Sequence, residues 1–160
     1  MAVKIEFLNP FVTAAAEVLR AEAGVSIKRG NLSLESSGIT MKDVATMISL
    51  VGDVEGMVIF SMPKAMCLAL VSQMVGEEFS ELNELAQSGV AELGNVIAGR
   101  AATKLSASGF ATDISVPTLI IGNGATIATL RIQRLVVPLQ TEFGTMEIHL
   151  ALRERANGHG

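Results

Sequence analysis

NELAQSGVAELGNVIAGRAATKLSAS, residues 83–108, reads as one long helix, and the rest of the chain is organised around it. Leu82, Leu85, Ala86, Val90, Leu93, Val96, Ile97 and Ala101 recur at the i, i+3, i+4, i+7 spacing of a stripe buried against a core. At about 100° per residue, Glu92 and Asn95 fall within about 60° of each other, on the side away from Leu93 and Ile97. Ser88, Gly99, Ala102 and Ser106 share that solvent face, so a carboxylate and a carboxamide stand on a small-residue surface that a partner's backbone can approach. Gly94 and Gly99 each cost up to about 1 kcal/mol relative to Ala inside a helix. Tolerating that cost twice implies close approach of something to this segment.

The spacing Glu-x-x-Asn occurs three times, at Glu6/Asn9, Glu92/Asn95 and Glu154/Asn157, so context decides between them. Asn9 precedes Pro10, which reads as an N-cap with Pro at the first helical position and leaves Glu6 outside the helix. Asn157 lies in a Gly-rich tail. Only Glu92 and Asn95 are held in a helix interior.

Working outward, Val3 to Phe7 reads as a short strand or lead-in, and a helix over 9–23 carries Phe11, Ala14, Ala15, Val18 and Leu19 on one face before stopping at Gly24. The period then falls to two. Strands are expected over 26–34, 44–51 and 54–61 as a three-strand meander, with a loop at 36–38 and a tight turn at Gly52-Asp53. Pro63 opens a shorter helix, 64–75, which ends at Gly76; the acidic segment 77–81 leads into the long helix. After Gly109 the outline repeats, with an extended piece over 112–121, a hairpin turn at 122–124, and strands over 126–137 and 141–153. The expected fold is therefore α+β: duplicated helix-plus-three-strand units forming a largely antiparallel sheet covered by long helices.

The 160 residues suit one domain. Hydrophobic residues make up 49% of them, with eight Met and neither Trp nor Tyr, which predicts an aliphatic, thioether-rich core. A net charge of −4 without a basic stripe argues against nucleic acid. No apolar run approaches the roughly 20 residues of a spanning helix, so no membrane insertion is expected. The N-terminus lacks the pattern of a signal peptide, and the single Cys67 sits in an apolar helical run, so a cytoplasmic protein is expected.

Other candidates for chemistry are weaker. His149 and His159 are the two histidines; alternation in the last strand points Met146, Ile148, Leu150 and Leu152 inward and puts His149 outward with Glu147, as a solvated or interface residue. One Cys and two scattered His supply no zinc ligand set. Asp43 and Asp53 adjoin turns and read as turn formers. Gly122-Asn123-Gly124 lacks the following helix and Lys of a phosphate loop, and Ser106 and Ser108 have no neighbouring His base.

The segment Ala91-Glu92-Leu93-Gly94-Asn95-Val96-Ile97-Ala98-Gly99-Arg100 resembles the signature of the CheX family within the CheC/CheX/FliY group of chemotaxis phosphatases. The resemblance extends to Asn9-Pro10-Phe11, the Gly-x-x-x-Gly of Gly52 to Phe60, Met74-x-Gly76, and Ile114-Ser115-x-Pro117 followed by Gly122. It implies one CheX-like domain over 1–154, a flexible tail over 155–160, and two halves related by a pseudo-two-fold axis. It also implies a phosphatase acting on the phosphoaspartate of a CheY-type response regulator, with Glu92 and Asn95 as the catalytic pair. Asn95 would orient the attacking water, Glu92 would dock to the regulator's lysine, and Ser88, Gly99 and Ala102 would let the helix lie close to the partner. The chain would carry no cofactor or metal of its own, the divalent ion being expected on the regulator. The first helix offers Glu17, but Arg20 stands three residues on, so one site per chain is expected. A homodimer is implied too, and the long apolar strands 126–137 and 141–153 suit edge pairing or exchange between chains. A non-catalytic adaptor using the same face is the alternative reading, and a structural subunit of a flagellar-type assembly a third; the retained Glu92/Asn95 pair favours catalysis over both.

Overall fold

A computed structural model describes residues 5–36, 39–40, 43–122, 126–127 and 133–156. The described helices are α1 (Leu8–Ala23), α2 (Lys64–Val75) and α3 (Glu84–Ala107). The strands are β1 (Lys28–Arg29), β2 (Ser33–Glu35), β3 (Ile39–Thr40), β4 (Val44–Gly52), β5 (Val54–Met62), β6 (Thr112–Ile114), β7 (Thr118–Ile121), β8 (Thr126–Ile127), β9 (Arg134–Thr141) and β10 (Gly144–Glu154).

α3 forms where its periodicity predicts, and its start is chemically marked. Asn83 is the N-cap, its Oδ1 accepting from the Ala86 amide at 2.9 Å, a contact whose loss typically costs about 1 kcal/mol. Gln87 Nε2 donates to the Leu82 carbonyl at 2.7 Å and ties down the incoming chain. α1 and α2 end at Gly24 and Gly76, both in the left-handed conformation that glycine adopts without a Cβ penalty. The beginning of α1 differs from expectation: a 3₁₀ turn over Ile5–Phe7 leads in, the N-cap is Phe7, and Asn9 lies inside the helix. Phe7 is buried edge-on against Phe110, ring centroids 5.2 Å apart, so apolar packing rather than a side-chain cap places this terminus.

The sheet order is β1-β9-β10-β5-β4-β6, with β2 also on β9 and β7 also on β4, all antiparallel. The expected meander of 26–34 with 44–51 does not form. The first strand region of each half crosses to the other half's hairpin, β1 and β2 joining β9–β10 and β6 and β7 joining β4–β5. The order is consequently symmetric about the β5–β10 seam, where Ile148 faces Phe60 and Leu150 faces Val58, as expected of two units related by a two-fold. The connections that cross between edges contain β3 and β8, which pair with each other. The turn expected at 122–124 lies largely outside the described residues, and the strands before and after it pair elsewhere. β9 and β10 are internal strands, so they are not available for the edge pairing between chains expected of them.

One face of the sheet carries the helices. Val44, Ile48, Leu50, Val58, Phe60, Val137, Ile148 and Leu150 form its side of the core, against Phe11, Ala15, Leu19, Met66, Leu70, Leu93 and Ile97. The opposite face holds a smaller cluster around Ala45 and Ile59. No described helix is long and apolar enough to cross a membrane.

Candidate functional site

The exposed strip of α3 is narrower than the helical wheel suggests. Ser88 and Glu92 are exposed and Asn95 is half-buried, all on one side of the helix. Among the described residues, neither the Glu92 carboxylate nor the Asn95 carboxamide makes a hydrogen bond or ion pair. At i, i+3 their Cβ atoms stand about 5–6 Å apart, so both groups can reach one ligand.

Toward the C-terminal end the same strip is covered. Ala102, expected on the open face, is only 6% exposed. The strand after the helix returns alongside it, placing Ile114 Cδ1 3.8 Å from where a Cβ on Gly99 would be and the Thr112 amide 3.4 Å from Ser106 Oγ, its acceptor. Gly99 itself is half-buried with room above it. Leu85, assigned to the buried stripe, is instead 51% exposed, in the first turn of the helix.

The glycines of α3 make their close approaches within the chain. A Cβ at Gly89 would meet Val71 Cγ1 of α2 at 3.0 Å, and one at Gly94 would meet Thr46 Cγ2 of β4 at 2.8 Å. Thr46 is 1% exposed and interrupts the inward apolar series Val44, Ile48, Leu50. That lone inward Thr is the sequence signal for a tight helix–sheet contact. Beyond Gly99, the edge strand breaks at Ser115-Val116-Pro117. Ser115 stays tied to β4, its Oγ accepting from the Ser49 amide at 2.9 Å, while Val116 is left 83% exposed.

The remaining polar candidates are occupied structurally. Asp43 Oδ2 accepts from the Lys64 amide at the start of α2 (2.9 Å), and Asp53 Oδ2 from the Ala111 amide (3.0 Å). His149 faces away from the helices as expected, but it is buried rather than solvated, at 5% exposure. Its Nδ1 accepts from Arg134 Nε at 3.2 Å, which leaves Nε2 to donate to Glu147 Oε1 at 3.3 Å. Burial pushes the Cys67 thiol up to about 12, which makes it inert as a nucleophile. Among the described residues no group of three or more His, Cys, Asp or Glu is placed to hold a metal ion.

On α1, Glu17 bridges to α3: Lys104 Nζ lies 3.1 Å and Arg100 Nη1 3.5 Å from its Oε1. The hydrogen bond from Lys104, then its charge and those of Arg100, hold the Glu17 carboxyl below its ordinary 4.5 against an opposing desolvation. A depressed folded-state pKa stabilises the fold above the unfolded value, and that contribution disappears as pH falls through the folded pKa. Glu17→Gln is therefore expected to lower the melting temperature slightly at pH 7, with the difference from wild type closing below pH 4.5. Thermal melts across that range check it.

Residues 44–140 match the family described as chemotaxis phosphatase CheX. The chain is 32% identical over 148 residues to the CheY-P phosphatase CheX of Thermotoga maritima, covering 91% of this chain and 95% of that one. The fold superposes on a CheC-like superfamily protein from Shewanella sp. PV-4 with a TM-score of 0.85 at 27% identity, over 94% of this chain and 99% of that one. It also superposes on one chain of the CheX–CheY–BeF3–Mg2+ complex of Borrelia burgdorferi with a TM-score of 0.77 at 33% identity, over 94% of this chain and all of that chain.

Proposed function

The chain belongs to the CheX family of chemotaxis phosphatases, and on that premise we propose that it hydrolyses the aspartyl phosphate of a CheY-type response regulator on the exposed strip of α3. The observation that carries this reading is the pair of unengaged polar groups, Glu92 and Asn95, one turn apart on the open part of a helix otherwise packed on the sheet. Polar side chains with no partner among the described residues are available to a partner outside the chain.

The chemistry asks little of the chain. A receiver domain brings the acyl phosphate, a divalent ion and a lysine, so neither a nucleophile nor a metal is needed from this protein. A water attacks phosphorus in line, the bond from phosphorus to the aspartyl oxygen breaks, the carboxylate leaves with the electron pair, and the water's proton passes to the departing phosphate or solvent. The Asn95 carboxamide can hold that water by hydrogen bonds without itself ionising, as a water-orienting Gln does in GTPases. Glu92 pairs with the receiver's lysine and fixes the register of docking with a charge-assisted contact. Ser88 and Gly99 keep the approach open, whereas Ala102 is too covered to contribute directly.

The test is the decay of a phosphorylated regulator with this protein far below stoichiometry. Many phosphates released per chain mean an enzyme; a shift saturating at one to one means an adaptor. The approach surface has its own check. Gly99→Leu places a branched side chain beside the pair without entering the core, so affinity for the regulator is expected to fall about tenfold or more, the effect of ~1.4 kcal/mol. Circular dichroism should show the fold intact, and undiminished binding would place the partner elsewhere.

The same reading puts the protein's work in the cytoplasm, where such regulators act, and expects a homodimer. Among the described residues the free edges of the sheet are β1–β2 and β6–β7. Sedimentation showing monomer alone at micromolar concentration would remove the dimer.

A further inference from the structure

We propose that Gly94 is a positioning residue: its contact with Thr46 sets how deeply the middle of α3 sits on the sheet, and so where the Asn95 amide is presented. The proposal rests on the reading of Asn95 as the water-orienting group. Gly94 directly precedes Asn95 and is buried. A Cβ there would stand 2.8 Å from Thr46 Cγ2, 3.3 Å from Thr46 Cβ and 3.5 Å from Phe60 Cδ2.

Neither neighbour can step aside. Thr46 and Phe60 are each 1% exposed and are cross-strand partners on the internal strands β4 and β5, with Leu119 opposite Thr46 on its other side. Thr46 is also β-branched, which restricts its χ1. The bed beneath Gly94 is therefore a rigid row rather than the far end of a flexible side chain. The helix is anchored on both sides of this point, by Val90 and Leu93 before it and Ile97, Ala98 and Ala101 after it, all buried. A methyl added at Gly94 cannot lift the whole helix. It bows the helix between those anchors, and the displaced segment contains Asn95 and adjoins Glu92.

Ordinary contact begins at 3.4 Å, so relieving a 2.8 Å approach displaces that segment by several tenths of an ångström. Catalytic groups tolerate about 0.5 Å before rates suffer. Gly89 differs in that its neighbour Val71 lies on α2, outside the sheet, and Gly99 differs in that its nearest contact is already at ordinary distance. Of the three, only Gly94 couples the row under the helix to the reacting amide.

The experiment moves one methyl across the contact. Gly94→Ala, Thr46→Ser and the double variant are compared with wild type for turnover of a phosphorylated CheY-type regulator, regulator concentration at half-saturation, and thermal melting. Gly94→Ala is expected to lower turnover at saturation by ~10-fold or more, a misplacement effect, with half-saturation moved by less. The double variant, which removes the methyl that Ala would meet, is expected to recover to within about threefold of wild type, since touching sites couple strongly. A purely structural role would move melting without this split between saturated and half-saturated rates. A folded Gly94→Ala with wild-type turnover overturns the proposal. So does a double variant no better than the single. If Gly94→Ala does not fold, the double variant decides alone, and its failure to fold or turn over overturns the proposal. A wild type that never turns over defeats the proposed function itself, an outcome distinct from either.

Discussion

Asn95→Ala is expected to abolish nearly all catalysed dephosphorylation while leaving the regulator bound. The amide's work lies in the transition state, where it holds a water against phosphorus, and losing one such hydrogen-bonding group typically costs about 10²–10³ in rate. Asn95 is half-buried beside the exposed Glu92, so truncating it removes little docking surface. It also sits one residue from the Gly94–Thr46 contact, and Ala there changes nothing in the core. Single-turnover phosphate release, measured beside the affinity for a regulator carrying a beryllium fluoride phosphoryl mimic, separates the two effects. Near-full release by Asn95→Ala would remove the assignment.

Glu92→Gln has the second largest expected effect, and it falls on binding. The substitution keeps size and hydrogen-bonding capacity and deletes the charge. Truncating one partner of a charged pair desolvated on docking commonly costs about 2–5 kcal/mol, some of it the cost of stranding the other charge. Among the described residues no hydrogen bond or ion pair depends on the Glu92 carboxylate, so the fold and melting temperature should not change. Calorimetric titration with the mimic-bound regulator measures the loss, and an unchanged affinity would mean that Glu92 does not meet the lysine.

Much of this was legible in the chain because α3 states itself locally. Its apolar period, the Asn83 cap and the acidic lead-in are all properties of neighbouring residues, and the helix spans Glu84–Ala107 within the stretch read for it. The exchange of first strands between halves was not legible. β2 and β9 pair across about a hundred residues of chain, with Leu34 opposite Leu135, and an alternating pattern reports a strand's faces without its neighbours. The same limit explains Ala102, which a helical wheel leaves open until β6 returns beside Gly99. It explains His149 as well: alternation placed it on the outward face correctly, while its burial depends on what lies across that face. Asn9 illustrates a different failure. The Asn-Pro pair satisfies a capping rule, but the burial of Phe7 and Leu8 carries the helix back past it. For the site, Gly94 did signal close approach, the approaching surface being the chain's own β4, whereas at Gly99 the nearest neighbour stands at ordinary contact distance.

The central claim is that Glu92 docks and Asn95 does the chemistry on a single face of α3. Saturation curves for wild type, Glu92→Gln and Asn95→Ala against increasing phosphorylated regulator test it most directly. The account predicts that Glu92→Gln climbs back toward the wild-type plateau at high regulator concentration, while Asn95→Ala stays near the spontaneous rate at every concentration. Two variants with the same plateau, or a wild type whose effect never exceeds one phosphate per chain, would contradict it.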